Sequence, residues 1–498
     1  MKLSLLCPAV LLSIATAAQP VLVQDIMPGV FSSNPSRLTP FNNKLYFFAT
    51  DGVHGVELWS DNGTKAAMEH DIFNGSKDCT GFVNNLRSAV LNGKMYFPAD
   101  NGTSGLELFS FDGINAPVLV SDIRGGLDGS KITELVALNG KLYFNADNGT
   151  NGLELWEHDP ASVQTSQVSF INTVAQGGVP RYLTTANGKL YFTAFVSATG
   201  RELYEYDPSS GVTKPVSDIY PGTEGSDPQC LTELGGKLYF VARTPDYGRE
   251  LHVYDGNAIQ RLTDYYPGKT DGTSIAVDGL STLGAIGNSI YFAGDDGTNG
   301  FQLSKYDATT NTASFVAMID PNGNSVPAGF IYYANKIFFT ANDGTHGREL
   351  WMIDGNDPPV MVADINTNAA VPTAPAGMVV YNNDLYFSAY GDYGNELYKL
   401  SDAKAGIADR TRSTAVKAYP NPANDFVHIE LSLLHNEELF VRVMDATGRA
   451  AVTSRPKMYN EQRNRITIPL SDLPAGMYFY NIINTEGAPV AVGRIVKI

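Results

Sequence analysis

Seven glutamates recur at matching places along the chain: Glu57, Glu107, Glu154, Glu202, Glu250, Glu349 and Glu396. Paired carboxylates are what glycoside cleavage uses, one as acid and the other as base or nucleophile, so these are the first candidates for chemistry. A catalytic pair, however, should break a repeat, and these residues obey one. Their expected role is structural, such as bonding the backbone of a neighbouring repeat. The same holds for Asp25, Asp122, Asp218 and Asp364, each followed by Ile. No residue is assigned as catalytic, because the sequence has no Gly-x-Ser-x-Gly, His-Glu-x-x-His or phosphate-loop pattern.

A second set of candidates lies in loops rich in Asp, Asn, Gly and Thr. Asp51, Asp100, Asp147, Asp295, Asp296 and Asp343 supply hard oxygen ligands of the kind that hold Ca²⁺. They lack the spacing of an EF-hand loop, and Asp-Gly and Asn-Gly are first of all turn formers. His54 and His346 share one loop position in two repeats, too far apart for a common metal. Aromatic residues near the same loops are Phe73, Tyr220, Tyr247, Tyr265, Tyr266 and Tyr393. Rings beside amides and carboxylates suit stacking on sugars or packing on a protein partner; the alternative is local packing.

The elements that must position these groups follow from an internal repeat. An aromatic pair recurs at Tyr46-Phe47, Tyr96-Phe97, Tyr143-Phe144, Tyr191-Phe192, Tyr239-Phe240, Tyr291-Phe292, Phe338-Phe339 and Tyr386-Phe387, with steps of 50, 47, 48, 48, 52, 47 and 48 residues. Each copy runs through a first apolar strand (residues 132–138), a tight turn (Asn139-Gly140), the strand of the aromatic pair, a Gly-rich loop, a third strand (Leu153-Glu154-Leu155-Trp156) and a fourth (residues 118–123 in the second copy). Four antiparallel strands in 40 to 50 residues are the dimensions of a propeller blade. The 48 Gly, 26 Tyr and 24 Phe agree with short strands and tight turns. A lone fourth-strand sequence, Val21-Leu22-Val23-Gln24-Asp25-Ile26, precedes the first copy, and the eighth copy stops after Glu396-Leu397-Tyr398. Joining the two closes an eight-bladed β-propeller and hides the sheet edges. Seven blades is the fallback and an open β-solenoid the competing architecture.

The segments Gly55-Val56-Glu57-Leu58-Trp59, Gly152-Leu153-Glu154-Leu155-Trp156 and Gly347-Arg348-Glu349-Leu350-Trp351 resemble the ELWxxDGT repeat of bacterial exported proteins. That resemblance covers residues 21–400 and implies no defined activity. Phe109, Tyr204, Tyr398 and His252 replace the Trp, and Gln302 replaces the Glu, in individual copies.

The first 18 residues read as a Sec signal peptide: Lys2, an apolar run, then Ala15-Thr16-Ala17. A lipoprotein cysteine at Cys7 is the lesser alternative. No later stretch has the roughly 20 apolar residues of a transmembrane span. Cys79 and Cys230 are expected to be structural thiols without a bridge. The net charge is −17, yet residues 415–498 hold 8 acidic and 9 basic residues, leaving 44 acidic against 26 basic in the rest. An acidic body repels phosphate backbones and argues against nucleic-acid binding. The change in charge marks a domain boundary, with a linker at residues 402–414.

Beyond the linker a new β pattern begins, expected to form a small immunoglobulin-like β-sandwich. Its motifs are Tyr419-Pro420-Asn421-Pro422-Ala423, Asp472-Leu473-Pro474-Ala475-Gly476-Met477-Tyr478, and Gly493-Arg494-Ile495-Val496-Lys497-Ile498. Together they resemble the type A sorting domain of the type IX secretion system of Bacteroidetes, over nearly all of residues 415–498. The resemblance implies a domain read by the outer-membrane translocon, after passage through Sec and the periplasm, and a protein delivered to the cell surface or the medium. Pro420, Asn421, Pro422, Gly476, Tyr478, Gly493 and Lys497 carry the motifs. The chain thus reads as a monomeric all-β exported protein whose ring binds a glycan or a protein, with Ca²⁺ as the candidate ion. A polysaccharide hydrolase or lyase, or a structural envelope component, are the alternatives.

Overall fold

The computed structural model describes residues 19–80, 87–172, 176–275, 277, 279–355, 357–366, 373–401, 417–419, 421–430, 437–445, 450–453, 457–459, 465–471, 473–484 and 489–498. The expected signal peptide, the linker and Pro420 lie outside them. The chain divides into two compact units, one ending at Ser401 and one starting at Asp402.

The first unit contains eight four-stranded antiparallel sheets. Blade III is representative, with Leu135–Leu138, Lys141–Asp147, Leu153–Asp159 and Gln164–Gln167 in that order. Its first turn carries Asn139 and Gly140 at φ of 51° and 79°, the positive pair that a two-residue hairpin requires. The first strand starts at Leu135, three residues later than the apolar pattern suggests. In blade II the fourth strand, Val118–Ser121, ends before Asp122-Ile123, which already belong to the connection to the next blade.

Blade VIII closes the ring. Its three strands Ala376–Tyr381, Asp384–Gly391 and Gly394–Ser401 are completed by Val21–Gln24 from the other end of the unit. Val21 pairs with Lys399, Leu22 with Tyr398 and Gln24 with Leu397, across an irregularity. Eight hydrophobic clusters fill the spaces between blades. An open stack of eight blades has seven such spaces. The eighth, which gathers Leu45 and Phe47 of blade I with Tyr386 and Leu397 of blade VIII, exists only because the ring is shut.

The second strand of each blade is buried on both faces, which is why its sequence is continuously apolar instead of alternating. Its first aromatic reaches the third strand of the next blade. Tyr46 meets Phe111 at 5.3 Å, Tyr96 meets His158 at 6.1 Å, Tyr143 meets Tyr206 at 5.6 Å, Tyr191 meets Tyr254 at 5.8 Å and Tyr239 meets Tyr306 at 6.2 Å between ring centroids. Around the closing seam, the Tyr386 hydroxyl donates to Asp61 Oδ2 at 3.2 Å. Such ring pairs contribute about 0.5–1.5 kcal/mol each beyond the area they bury.

Among the described residues the second unit has two sheets. One orders Lys417–Tyr419, Phe426–Glu430 and Arg465–Pro469; the other is built on Glu437–Asp445, Gly476–Asn484 and Pro489–Lys497. A single core joins them, with Val427, Ile429, Ile466 and Ile468 from the first sheet and Val441, Tyr478, Ile482 and Ile495 from the second.

Candidate functional site

The recurrent glutamates are fully buried clamps on the connection that leaves their own blade. Glu154 accepts from the amides of Ile171 at 3.0 Å, Asn172 at 3.1 Å and Gly178 at 3.0 Å. Glu202 takes Ile219, Tyr220 and Ser226 in the same way. Glu396 takes Ile26 and Ser33, on the connection that follows the closing strand. The partner is thus the outgoing connection, not a strand of the neighbouring blade. Burial pushes these carboxyl groups up, Glu57 to about 8 and Glu250 and Glu349 to about 7. Gln302 does the same work in blade VI without charge: Oε1 accepts from Ile319 at 2.9 Å and Nε2 donates to the carbonyls of Asp320 and Gly323.

The loop aspartates close their own turns. Asp51 Oδ1 accepts from the amides of Val53 and His54, and Oδ2 pairs with His54 Nδ1 at 2.7 Å; Asp343 and His346 repeat this in blade VII. Asp100, Asp295 and Asp296 accept from Gly102, Gly297 and Thr298. Asp147 accepts from Gly149 and pairs with Arg124 and Lys131. All but Asp147, which reaches the connection arriving from blade II, bond within their own loops. Among the described residues no three His, Cys, Asp or Glu side chains come together in a geometry for a metal ion. Cys79 and Cys230 are buried free thiols.

The aromatic candidates are spread around the ring. Phe73, Tyr220 and Tyr266 occupy one repeat position, the second residue after the aspartate that opens the connection. There Phe73 lies on Gly102 of blade II and Tyr266 on Gly297 of blade VI, where an added Cβ would stand 3.1 and 1.9 Å from the rings. Tyr265 packs edge-on against Phe292 and hydrogen-bonds Ser304 Oγ at 2.8 Å. Tyr247 carries the Arg261 guanidinium 3.6 Å above its ring. Tyr393, 46% exposed, lines a cleft of about 270 Å³ at the closing seam with Leu22, Asp364, Asp392 and Tyr398.

One set escapes the repeat, and sequence reasoning missed it. Nine residues before each second-strand aromatic, on or just before the innermost strand, stand Arg37, Arg87, Glu134, Tyr182, Cys230, Thr282, Gly329 and Gly377. Three neighbouring pairs in this series meet from blade to blade. Arg87 Nε is 3.7 Å from Glu134 Oε2, Glu134 Oε1 accepts from the Tyr182 amide at 3.1 Å, and Cys230 Sγ is 3.5 Å from Thr282 Oγ1. Arg37 donates to the Pro98 carbonyl of blade II at 3.4 Å. The backbone is left-handed at Gly329 and Gly377, with φ of 65° and 63°, and equally at Arg37, Tyr182 and Cys230, with φ of 55°, 58° and 56°. A side chain in this region costs about 1–2 kcal/mol. Blades VII and VIII take the residue that avoids this cost, whereas Arg37, Tyr182 and Cys230, in blades I, IV and V, bear it. Divergence at fixed spacing was the signal available in the sequence, legible once residues are counted back from the aromatic pair.

In the second unit the sorting motifs meet on one pair of strands. Gly476 faces Lys497, Tyr478 faces Ile495 and Tyr480 faces Gly493. Asn421 Oδ1 accepts from the Val496 amide at 2.9 Å, ahead of a cis bond to Pro422, and Ala423 exchanges backbone bonds with Val496 and Ile498. The Tyr478 hydroxyl donates to the Pro474 carbonyl at 2.9 Å.

No curated protein sequence matches the chain. Among solved structures, PorZ, a surface component of the type-IX secretion system of Porphyromonas gingivalis, aligns at 13% identity over 92% of this chain and 68% of its own, with a TM-score of 0.44. A puromycin-hydrolyzing peptidase of Mycobacterium tuberculosis aligns at 11% identity over 75% of this chain and 61% of its own, TM-score 0.47. Sqt1 of Saccharomyces cerevisiae aligns at 10% identity over 78% and 99%, TM-score 0.43. No helix among the described residues is long and apolar enough to cross a membrane. Residues 417–497 match the family of secretion system C-terminal sorting domains, so this eight-bladed propeller ends in a domain handled by type IX secretion and is a secreted or cell-surface protein.

Proposed function

We propose that the chain is a binding propeller, carried through Sec and the periplasm and released or displayed by type IX secretion, that holds a glycan without turning it over. The observation that carries this is the division of labour among its polar side chains. Carboxylates that obey the repeat are engaged in holding connections, while the innermost ring departs from the repeat and brings together Arg87, Glu134 and Tyr182 on three consecutive blades. Non-repeated polar groups inside a rigid ring are what a specific ligand site needs. The ELWxxDGT-like repeat supplies the scaffold, and the aspartate loops, if they take Ca²⁺, would stiffen its rim.

The secreted protein, purified from a type IX-competent host and applied to a glycan array with and without Ca²⁺, should retain a defined saccharide saturably and return it unmodified. Retention of none in either condition contradicts the proposal; a shortened or unsaturated product favours a hydrolase or lyase.

A further inference from the structure

The cleft of about 270 Å³ at the closing seam is walled by Leu22 and Ile365 and carries two carboxylates, Asp364 and Asp392, beside Tyr393 and Tyr398. No Lys, Arg or His lines it. Asp364 departs from its repeat here. At the equivalent place in other blades, Asp25, Asp71 and Asp264 each accept from the amide of a glycine four residues on, Gly29 at 3.1 Å, Gly75 at 3.5 Å and Gly268 at 3.2 Å. Asn368 stands in the sequence where that glycine would be. Among the described residues Asp364 Oδ1 has no hydrogen-bond partner, and a carboxylate without a donor is costly to keep inside a fold.

Asp392 is exposed at the same cleft, so a ligand reaches one of the two carboxylates directly from solvent. Tyr393 is 46% exposed, and Phe31, 61% exposed, lies on the connection whose carbonyl abuts Gly394. Two carboxylates with no basic neighbour call for a cation, and the field of the acidic propeller unit, with 44 acidic against 26 basic residues outside residues 415–498, draws one in. A hard metal ion wants six to eight oxygens, whereas half of this cleft is aliphatic or aromatic. An organic ammonium uses both halves, its N–H groups on the carboxylate and its carbon on the rings. An alkyl chain would only cross the Tyr393 ring, but a pyranose covers it. We infer that the seam cleft binds an unacetylated amino sugar, its ammonium donating to Asp392, Asp364 adding its charge, and its ring lying on Tyr393. This assignment rests on the glycan-binding reading and adds a cationic subsite on blades VII and VIII, apart from Arg87 and Glu134 on blades II and III.

The test is titration of the full secreted chain, and of its Asp392→Asn and Tyr393→Ala variants, with glucosamine oligosaccharides, with the same oligosaccharides N-acetylated, and with a lysine-containing peptide. Both substituted side chains are exposed, so folding is retained, as an unchanged thermal midpoint would show. The expected result is saturable binding of the glucosamine oligosaccharide that weakens with salt. N-acetylation or Asp392→Asn should weaken it at least about tenfold, and Tyr393→Ala about threefold. Equal binding of the N-acetylated form overturns the ammonium contact, and equal binding of the peptide overturns the sugar. Glucosamine binding that both variants keep places the site elsewhere and overturns this assignment while leaving the glycan reading intact. So does binding of other saccharides without glucosamine. Absence of binding to every saccharide overturns the glycan reading itself.

Discussion

Leu22 lies opposite Tyr398 in an antiparallel pair formed by strands at the two ends of the ring's sequence. Leu22 packs into the cluster between blades VII and VIII, with Phe387 and Leu400. The adjacent connection gives Ile26 to the cluster between blades VIII and I and two amides to Glu396. Removing residues 19–24 should therefore uncover the Gly394–Ser401 edge and loosen two clusters at once. The expected outcome is an unfolding free energy, measured in urea, lower by about 2–4 kcal/mol, and a tendency to aggregate on dilution from denaturant.

Glu154→Ala should strip three buried amides of their acceptor and cost about 3–5 kcal/mol. Glu154→Gln should cost much less, because Gln302 already serves the same connection in blade VI. Chemical denaturation of both variants checks the contrast. Equal losses would mean that the negative charge, and not the acceptor geometry, holds the connection.

The pH dependence has a definite sign. Glu57, at about 8 when folded against an ordinary 4.5, binds its proton more tightly in the native state. Its contribution is complete below about 4.5 and is lost as pH rises towards 8. Glu250 and Glu349, at about 7, act in the same direction, as do His54 and His346, whose ring pairs with Asp51 and Asp343 hold them above the usual histidine value. Thermal melts should show lower stability at pH 9 than at pH 5, and Glu57→Gln should flatten that slope by on the order of 2 kcal/mol. A slope unchanged by Glu57→Gln would contradict the assignment.

Tyr266 is read as a spacer seated on Gly297, which has φ of 81°. Gly297→Ala should destabilise by about 2–3 kcal/mol, and Tyr266→Ala in the same chain should recover part of it, a coupling that a double-mutant cycle measures. Lost saccharide binding in Tyr266→Ala with unchanged stability would instead return this ring to the ligand site.

Deleting residues 402–498 in a type IX-competent host should leave the propeller in the periplasm, detected by fractionation. Continued delivery to the surface would separate export from the sorting domain.

Much of the fold was legible because blade interfaces repeat one demand at one spacing. The aromatic pair marks the strand buried on both faces, and Asn139-Gly140 marks the hairpin that precedes it. Ring closure was legible too, since Val21-Leu22-Val23-Gln24 copies a fourth strand that the last blade lacks. Strand ends were read less well: Asp122-Ile123 looks like strand in pattern, but its residues turn to meet Glu107. The candidate site was hidden for the reason that makes it interesting. Arg87 and Glu134 share a register that no motif marks, and only the packing of successive innermost strands brings them together.

Each functional inference stands on a closed ring, and a cross-link at the seam tests that most directly. Val21 and Lys399 are paired residues, and facing side chains of an antiparallel pair start about 4.5–5.5 Å apart at Cβ, near the reach of a disulfide. In the Val21→Cys/Lys399→Cys variant, mild oxidation should give an intramolecular disulfide, seen by mass spectrometry as one peptide pair joining positions 21 and 399, with Cys79 and Cys230 still free. Failure to form that link, together with an unchanged unfolding midpoint when residues 19–24 are removed, would contradict the closed ring.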